Sequence, residues 1–256
     1  MITVENTDNL AGVTICGDYE DFNNLVDAFH TLTISEDDLK YSEYIYMSIR
    51  VLGLCYDIRH ASQGDREVVL VDNGMTSDCM VWHEMVVPKK NVYYSCNCMY
   101  PEMIYDMMAL NELVRIRIEK LSGQKNTNDG LFHKHVVWDE VIANIRFLQS
   151  QFNNCVKRTL TPAAYARWIN LITSNDSDLY KMPGQYMDLL NNKYHEMDKG
   201  EREKSISVIT KRISQYKTNP EYIQLSRELE DAAVKLNCPV QKIRFKGLEY
   251  PEVIKW

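Results

Sequence analysis

Strand-like runs crowd into the first 99 residues of the chain, and helical spacing dominates after residue 100. Ile2-Thr3-Val4 and Val13-Thr14-Ile15 are β-branched runs bounded by Asn6–Asn9 and by Gly12 and Gly17, which predicts a short hairpin. Glu67–Val71 and the aromatic, cysteine-rich Asn91–Met99 read as two further strands. Helical patterns interrupt them. Asp18 is a good N-cap for a helix over about 19–31, with Phe22, Leu25, Val26 and Phe29 on one face. Met47, Val51, Leu54, Cys55 and Ile58 recur at i, i+4, i+7, i+8 and i+11, the core face of a helix over 43–61. The acidic segment 34–42 reads as an exposed connection, and 75–90 is ambiguous, with a short helix near Met80–Met85. Pro101 suits the first turn of a helix running to about 121.

Strands and helices thus mix without a regular βαβ alternation. The expected class is α+β: a small mixed or antiparallel sheet with packed helices over residues 1–122, followed by an all-α region. Residues 122–130, SGQKNTNDG, hold no apolar side chain, and 123–130 is the expected linker. Beyond it Val137, Val141, Ile145, Leu148, Phe152 and Val156 step by three or four residues. Thr161-Pro162 opens another helix, Met182-Pro183-Gly184 breaks the chain before Tyr186–Leu190, and Asn219-Pro220 starts a helix ending near Asn237. The helical region is therefore 131–238. A C-terminal strand and tail over 239–256 completes the chain, with Val240–Phe245 as the strand.

Charge narrows the partners. The chain carries a net −7, of which residues 1–128 hold −10 and residues 129–256 hold +3. The acidic half is a poor partner for nucleic acid. Six basic residues between Lys199 and Lys217 read as a solvated helix face. No apolar run approaches the ~20 residues that cross a bilayer, so no membrane partner is expected. The first residues carry neither a basic nor an apolar segment of the secretory kind. Seven scattered cysteines fit reduced, mostly buried thiols, and a cytoplasmic location is the expectation.

The helix over 43–61 carries a second stripe. Tyr46, Arg50, Gly53, Asp57 and His60 recur at intervals of four and three residues. Asp57 and His60, one turn apart, suit a hydrogen-bonded pair of the kind that orients an imidazole for acid–base work. Gly53 in mid-helix costs about 1 kcal/mol relative to Ala, which a close-approaching ligand or backbone would explain. Gln63-Gly64-Asp65-Arg66 adds a tight turn and a second Arg. Arg50, Asp57 and His60 are therefore the candidate catalytic residues, and Tyr46, Gln63, Asp65 and Arg66 the candidate ligand contacts, for a phosphate or carboxylate. The commoner use of such residues is a structural ion-pair network between helix and turn, and that alternative stays open. Cys79, His83, Cys96 and Cys98 form a weak tetrad for zinc, with poor spacing, so no metal is expected. P-loop, dinucleotide and nucleophile-elbow motifs are absent, and no cofactor is expected. Tyr165, Trp168, Ile169 and Ile172 are an aromatic stripe that reads as core.

Three stretches carry a resemblance: MITVENTDNLAGVTICGDY (Met1–Tyr19), RVLGLCYDIRHASQGDREVVLVDNG (Arg50–Gly74) and NVYYSCNCMYPE (Asn91–Glu102). They resemble an uncharacterised family, a domain of unknown function, of low-GC Gram-positive bacteria. The likeness covers most of the first 120 residues and not the region after 130. It implies a bacterial, intracellular origin and a shared N-terminal domain, and brings no reaction or catalytic residue with it.

Two function classes follow. The first is a non-enzymatic interaction or regulatory module with an unknown protein partner or a homo-oligomeric state. The second is an enzyme or ligand-binding protein for a phosphate-bearing or acidic small substrate or nucleotide, acting through the Arg/Asp/His cluster. A role in conflict with phage or mobile elements belongs to the second class, with no residue to show it. Geometry separates the classes: an open cleft lined by Arg50, Asp57, His60 and Arg66 favours a ligand, and mutual saturation favours structure.

Overall fold

The computed structural model describes residues 1–124, 126–173, 178–251 and 253–256. Lys125 of the expected linker, residues 174–177 of the helical region and Glu252 of the tail lie outside the described residues.

The β-branched runs form a hairpin of β1 (Thr3–Asn6) and β2 (Gly12–Gly17). Together with β4 (Lys90–Met99) and β3 (Glu67–Asp72) they make a four-stranded sheet in the order β1-β2-β4-β3, antiparallel at every pair. At Gly12 the Cys98 carbonyl lies only 1.9 Å from where a Cβ would stand, so only glycine allows β4 this close. Helix α1 (Tyr19–Leu32) starts on a capping box, with Asp18 accepting from the Asp21 backbone and Asp21 from the Asp18 backbone. Helix α2 (Ile45–Ser62) buries all five residues of its apolar stripe. Helix α3 (Ser77–Trp82) buries none of its residues. In the connection before α2, Ile34, Tyr41 and Tyr44 are buried and join the core.

Helix α4 (Tyr100–Ser122) is the axis of the molecule. Tyr100, Met103, Ile104, Met107, Met108, Leu110, Leu113 and Val114 are buried all round it, the pattern of a helix inside the core. It ends on Gly123 in the left-handed conformation, with φ +69°. Two single turns, α5 (Thr127–Gly130) and α6 (Lys134–Val137), lead to α7 (Glu140–Thr159). Val137 therefore belongs to α6 and is exposed, whereas Ile145, Leu148, Phe152 and Val156 of the expected stripe are buried on α7. The Asp139 N-cap, held by Arg117 of α4, starts the helix three residues later than the spacing indicates.

Helices α8 (Pro162–Ile172), α9 (Gly184–His195), α10 (Lys199–Ser214) and α11 (Pro220–Leu236) follow. The aromatic stripe of α8 is core: Trp168 is buried and its indole donates to Thr210 at 2.9 Å. One apolar cluster runs from Val4, Ile15 and Phe22 through α4 to Phe152, Trp168, Tyr194 and Ile209. The segment expected as a terminal strand is instead a 3-10 turn, Val240–Lys242, without strand pairing. Gln185 of α9 accounts for this: its amide donates to the carbonyls of Val240 and Ile243, which a strand partner would otherwise occupy. No helix among the described residues is long and apolar enough to cross a membrane.

Candidate functional site

The second stripe of α2 does not act as one unit. Arg50 turns into the protein. Its Nε and Nη2 donate to the two oxygens of Glu102 at 2.7 and 2.8 Å, Nη2 donates also to Asp188 at 3.0 Å, and Nη1 donates to the Gly184 carbonyl at 3.0 Å. Burial opposes the guanidinium charge, but Glu102, by charge and hydrogen bond, and Asp188 more than offset it, so its proton is held more firmly than usual. This bidentate ion pair ties α2 to α4 and α9. Its donors are committed, leaving Arg50 poorly placed to receive a phosphate.

Asp57 and His60 do not pair, as their spacing led one to expect. The turn after α2, with Gly64 at φ +85°, folds the chain back over the helix end and supplies each with another partner. Arg66 Nη2 donates to Asp57 at 2.8 Å, and Asp65 meets His60 Nδ1 at 2.9 Å. The His60 ring also packs on Tyr56, with centroids 4.1 Å apart. Gln63 and Tyr46 are exposed and join neither pair. The backbone half of the glycine expectation is not met: among the described residues nothing lies within 4 Å of a Cβ built at Gly53.

Asp57 and Arg66 do line a cleft of about 450 Å³, together with Thr14, Glu67, Ser95, Cys96, Asn97, Tyr250 and Trp256. Arg50 and His60 are not among its walls. The Cys96 thiol is pushed up to about 12 by burial and, next, by Asp57, so at neutral pH it is a thiol and a poor nucleophile. The one imidazole–carboxylate pair of the stripe, His60–Asp65, sits outside the cleft. The cleft thus has polar walls without an acid–base pair or an activated thiol.

Reading the stripe alone misses four polar residues that sit with Arg50. Glu102 and Asp106 lie one turn apart on α4, and Asp188 and Asn191 lie one turn apart on α9. Asn191 donates to Glu102 at 2.7 Å. Asp106 is fully buried, and neither carboxylate oxygen has a hydrogen-bond partner. Burial and then the Glu102 charge push its carboxyl well above the usual range, against the opposing pull of Arg50, which favours the protonated form. Acidic residues at i and i+4 inside the otherwise apolar Tyr100–Leu110 run are the signal that would have found them. A second cleft of about 550 Å³ opens beside Asp188, lined by Gln185, Arg244, Lys246, Glu249 and Tyr250 among others.

The zinc tetrad is not assembled. Cys96 and Cys98 are buried on β4, whereas Cys79 and His83 lie beyond the far end of that strand, past the Asp72↔Lys90 pair. At about 3.3 Å per residue, Lys90 alone is some 20 Å from Cys96. No group of three or more His, Cys, Asp or Glu among the described residues is placed to hold a metal ion.

The larger anomaly is a surface. All six residues of β3 are exposed, so the apolar run Val68-Val69-Leu70-Val71 shows both of its faces to solvent. Trp82 is 83% exposed and Val86 96% exposed on the connection to β4. The sheet partner changes character along its own length: Ser95–Met99 of β4 is largely buried, and Lys90–Val92 beside β3 is not. Residues 67–92 therefore form an arm with an apolar skin, and β3 is the open edge of the sheet.

No curated protein and no solved structure matches the chain. One family model does match, and it spans residues 2–256, reaching well past the first 120 residues that carry the likeness in sequence. Over nearly its whole length, arm and helical region included, the chain belongs to the domain of unknown function family DUF6904.

Proposed function

We propose that this chain is a non-enzymatic interaction module that works through its arm. The observation that supports this reading most is β3: four consecutive large apolar residues, exposed on both faces, on an unpaired sheet edge. Strands with continuous apolar runs are ordinarily covered on both sides. Exposed apolar edges are ordinarily blunted by charge, proline or a covering element, because they template pairing with another chain. Neither charge nor proline is present within Val68–Val71. The stripe on α2 supports the same reading from the other side. Arg50 is saturated by Glu102, Asp188 and Gly184, and the His60–Asp65 pair lies outside the Asp57/Arg66 cleft.

Native mass spectrometry of the chain purified from its own host tests the reading. The wild-type chain is expected to carry a stoichiometric protein partner, of the same or another kind, and a Leu70→Lys/Trp82→Lys variant is expected to lose it while keeping its thermal melt. Wild-type and variant chains that both fly alone would refute the interaction reading. A bound small molecule retained by both and lost on Asp57→Ala would move the function to the cleft.

A further inference from the structure

We infer that the occupant of the arm is a second copy of this chain, with the two β3 strands pairing antiparallel across a two-fold axis at Val69. The inference rests on the interaction reading above and specifies its partner.

Hydrogen bonding within the arm shows which backbone groups are free. Asn73 N donates to the Lys89 carbonyl at 3.1 Å, one step beyond the Asp72↔Lys90 pair. Bonded pairs alternate along an antiparallel ladder. Glu67, Val69 and Val71 therefore aim their backbone groups at β4, and Val68, Leu70 and Asp72 aim theirs at the open side. A second strand bonds to those three.

The side chains choose the register. A two-fold axis normal to the sheet passes through a residue and its own copy, because opposite residues must share a face. With the axis at Val69, Val68 and the partner's Leu70 exchange backbone bonds, and Val69 meets the partner's Val69. At both ends Arg66 stands opposite the partner's Asp72, a pairing of opposite charges. Glu67 beside the partner's Val71 is the one mixed pair. Moving the axis to Leu70 sets Val68 against the partner's Asp72 and loses both charge pairs. Arg66 and Asp72 are both exposed, and engaging the partner requires Arg66 to share or exchange its exposed pair with Asp57. Arg66 makes its present contacts to Asp57 and the Asp65 carbonyl from the exposed side of the turn, and Asp72 uses only one carboxylate oxygen, toward Gly74 N.

The area is also suitable. Nine large apolar residues from Val68 to Val92 are 37% to 96% exposed. Together they offer an area on the order of the ~800 Å² that one partner gives to a standard interface. In the antiparallel arrangement each arm tip, with Trp82 and Val86, reaches past Asp72 to the end of the other copy's α2, the helix that carries the exposed Tyr56.

Sedimentation velocity and cysteine scanning test the inference on the full chain. Both start from a Cys79→Ser background, because the Thr76 hydroxyl lowers the partly exposed Cys79 thiol and a native thiol in the arm would confuse the cross-linking. The parent chain is expected to sediment as two copies at tens of micromolar, with Leu70→Lys weakening the dimer at least tenfold. At a non-hydrogen-bonded pair the Cα atoms are ~4.5 Å apart, within the range a disulfide spans. Mild oxidation is therefore expected to cross-link Val69→Cys into a dimer, and to leave Leu70→Cys, displaced by two residues from its own copy, uncross-linked. A monomeric parent chain overturns the inference. A dimer that cross-links through Leu70→Cys, or through neither variant, overturns the register. If the parent is monomeric but the chain from the host holds a different protein that Leu70→Lys releases, the second-copy assignment falls and the interaction reading stands.

Discussion

At one edge of the sheet, β1 is covered. Helix α7 lies along it, Arg158 Nη2 donates to the Val4 carbonyl at 3.3 Å, and Asn6 Nδ2 donates to Thr159 at 2.8 Å. At the other edge, no element among the described residues covers β3, and every one of its residues is exposed. Both strands are short and partly β-branched, so composition does not explain the difference. The β1 edge lies where α7 returns across the molecule, and its apolar residues Val4 and Ile2 are buried. Among the described residues, no residue of the β3 edge is buried. An edge covered from within contributes stability, and an edge left open is available to a partner.

Five substitutions measure this contrast. The largest effect belongs to Phe152→Ala on α7, the covering helix. Its ring is buried against Tyr100 and Trp168, and its loss is expected to cost about 3–5 kcal/mol in denaturant unfolding. A loss under about 1 kcal/mol would mean that α7 packs loosely on α4 and α8.

Arg50→Met comes next. It leaves Glu102 and Asp188 without their cation in a largely buried site, at a cost of about 3 kcal/mol. Arg66→Met, at the base of the arm, breaks a pair whose side chains are 38% and 42% exposed, and is expected to cost at most about 1 kcal/mol. Equal losses would erase the distinction between body and arm.

A smaller effect comes from Asp106 in the body. Its folded carboxyl is raised and its unfolded carboxyl is ordinary, so above pH ~4 the folded chain binds a proton that the unfolded chain has released. The contribution of this group to stability therefore falls as pH rises from ~4 toward the folded value. Asp106→Asn removes that dependence, and the melting temperature of the variant relative to wild type is expected to climb across the same range. A difference that stays flat with pH would show that Asp106 is not protonated in the fold. The smallest effect on folding is expected from Leu70→Lys. On the monomer it should fall within about 0.5 kcal/mol in thermal melts at low concentration, because the side chain is 57% exposed. A loss of several kcal/mol would mean that the arm packs on the body.

The elements carried by local chemistry were legible. Asp18 and Thr161 cap their helices as read, Pro101 and Pro220 sit in first turns, and Gly123 and Asn237 end helices in the left-handed conformation. The stripe at Met47, Val51, Leu54, Cys55 and Ile58 is the buried face of α2. The candidate site was legible only as a set of residues. Spacing put Arg50, Asp57 and His60 on one side of a helix, but their partners come from elsewhere: Glu102 from α4, Asp188 from α9, and Asp65 and Arg66 from the returning turn. Similarly, Val240–Phe245 has strand-forming residues, yet the Gln185 amide, 55 residues earlier than Val240, takes the carbonyls that a strand would use.

The arm shows the division most directly. The sequence by itself determined that Glu67–Val71 is a strand, since extended φ/ψ preferences and β-branching act between near neighbours. It could not say whether that strand would be central or at an edge, covered or bare. An apolar run of this kind is the mark of a strand buried on both faces, and only the tertiary arrangement showed β3 outside β4 with solvent on both sides. The reason is range. Secondary structure follows from interactions within a few residues, whereas burial depends on which distant segments arrive: α7 reached β1 from more than 130 positions along the chain, and among the described residues every position of β3 stays exposed.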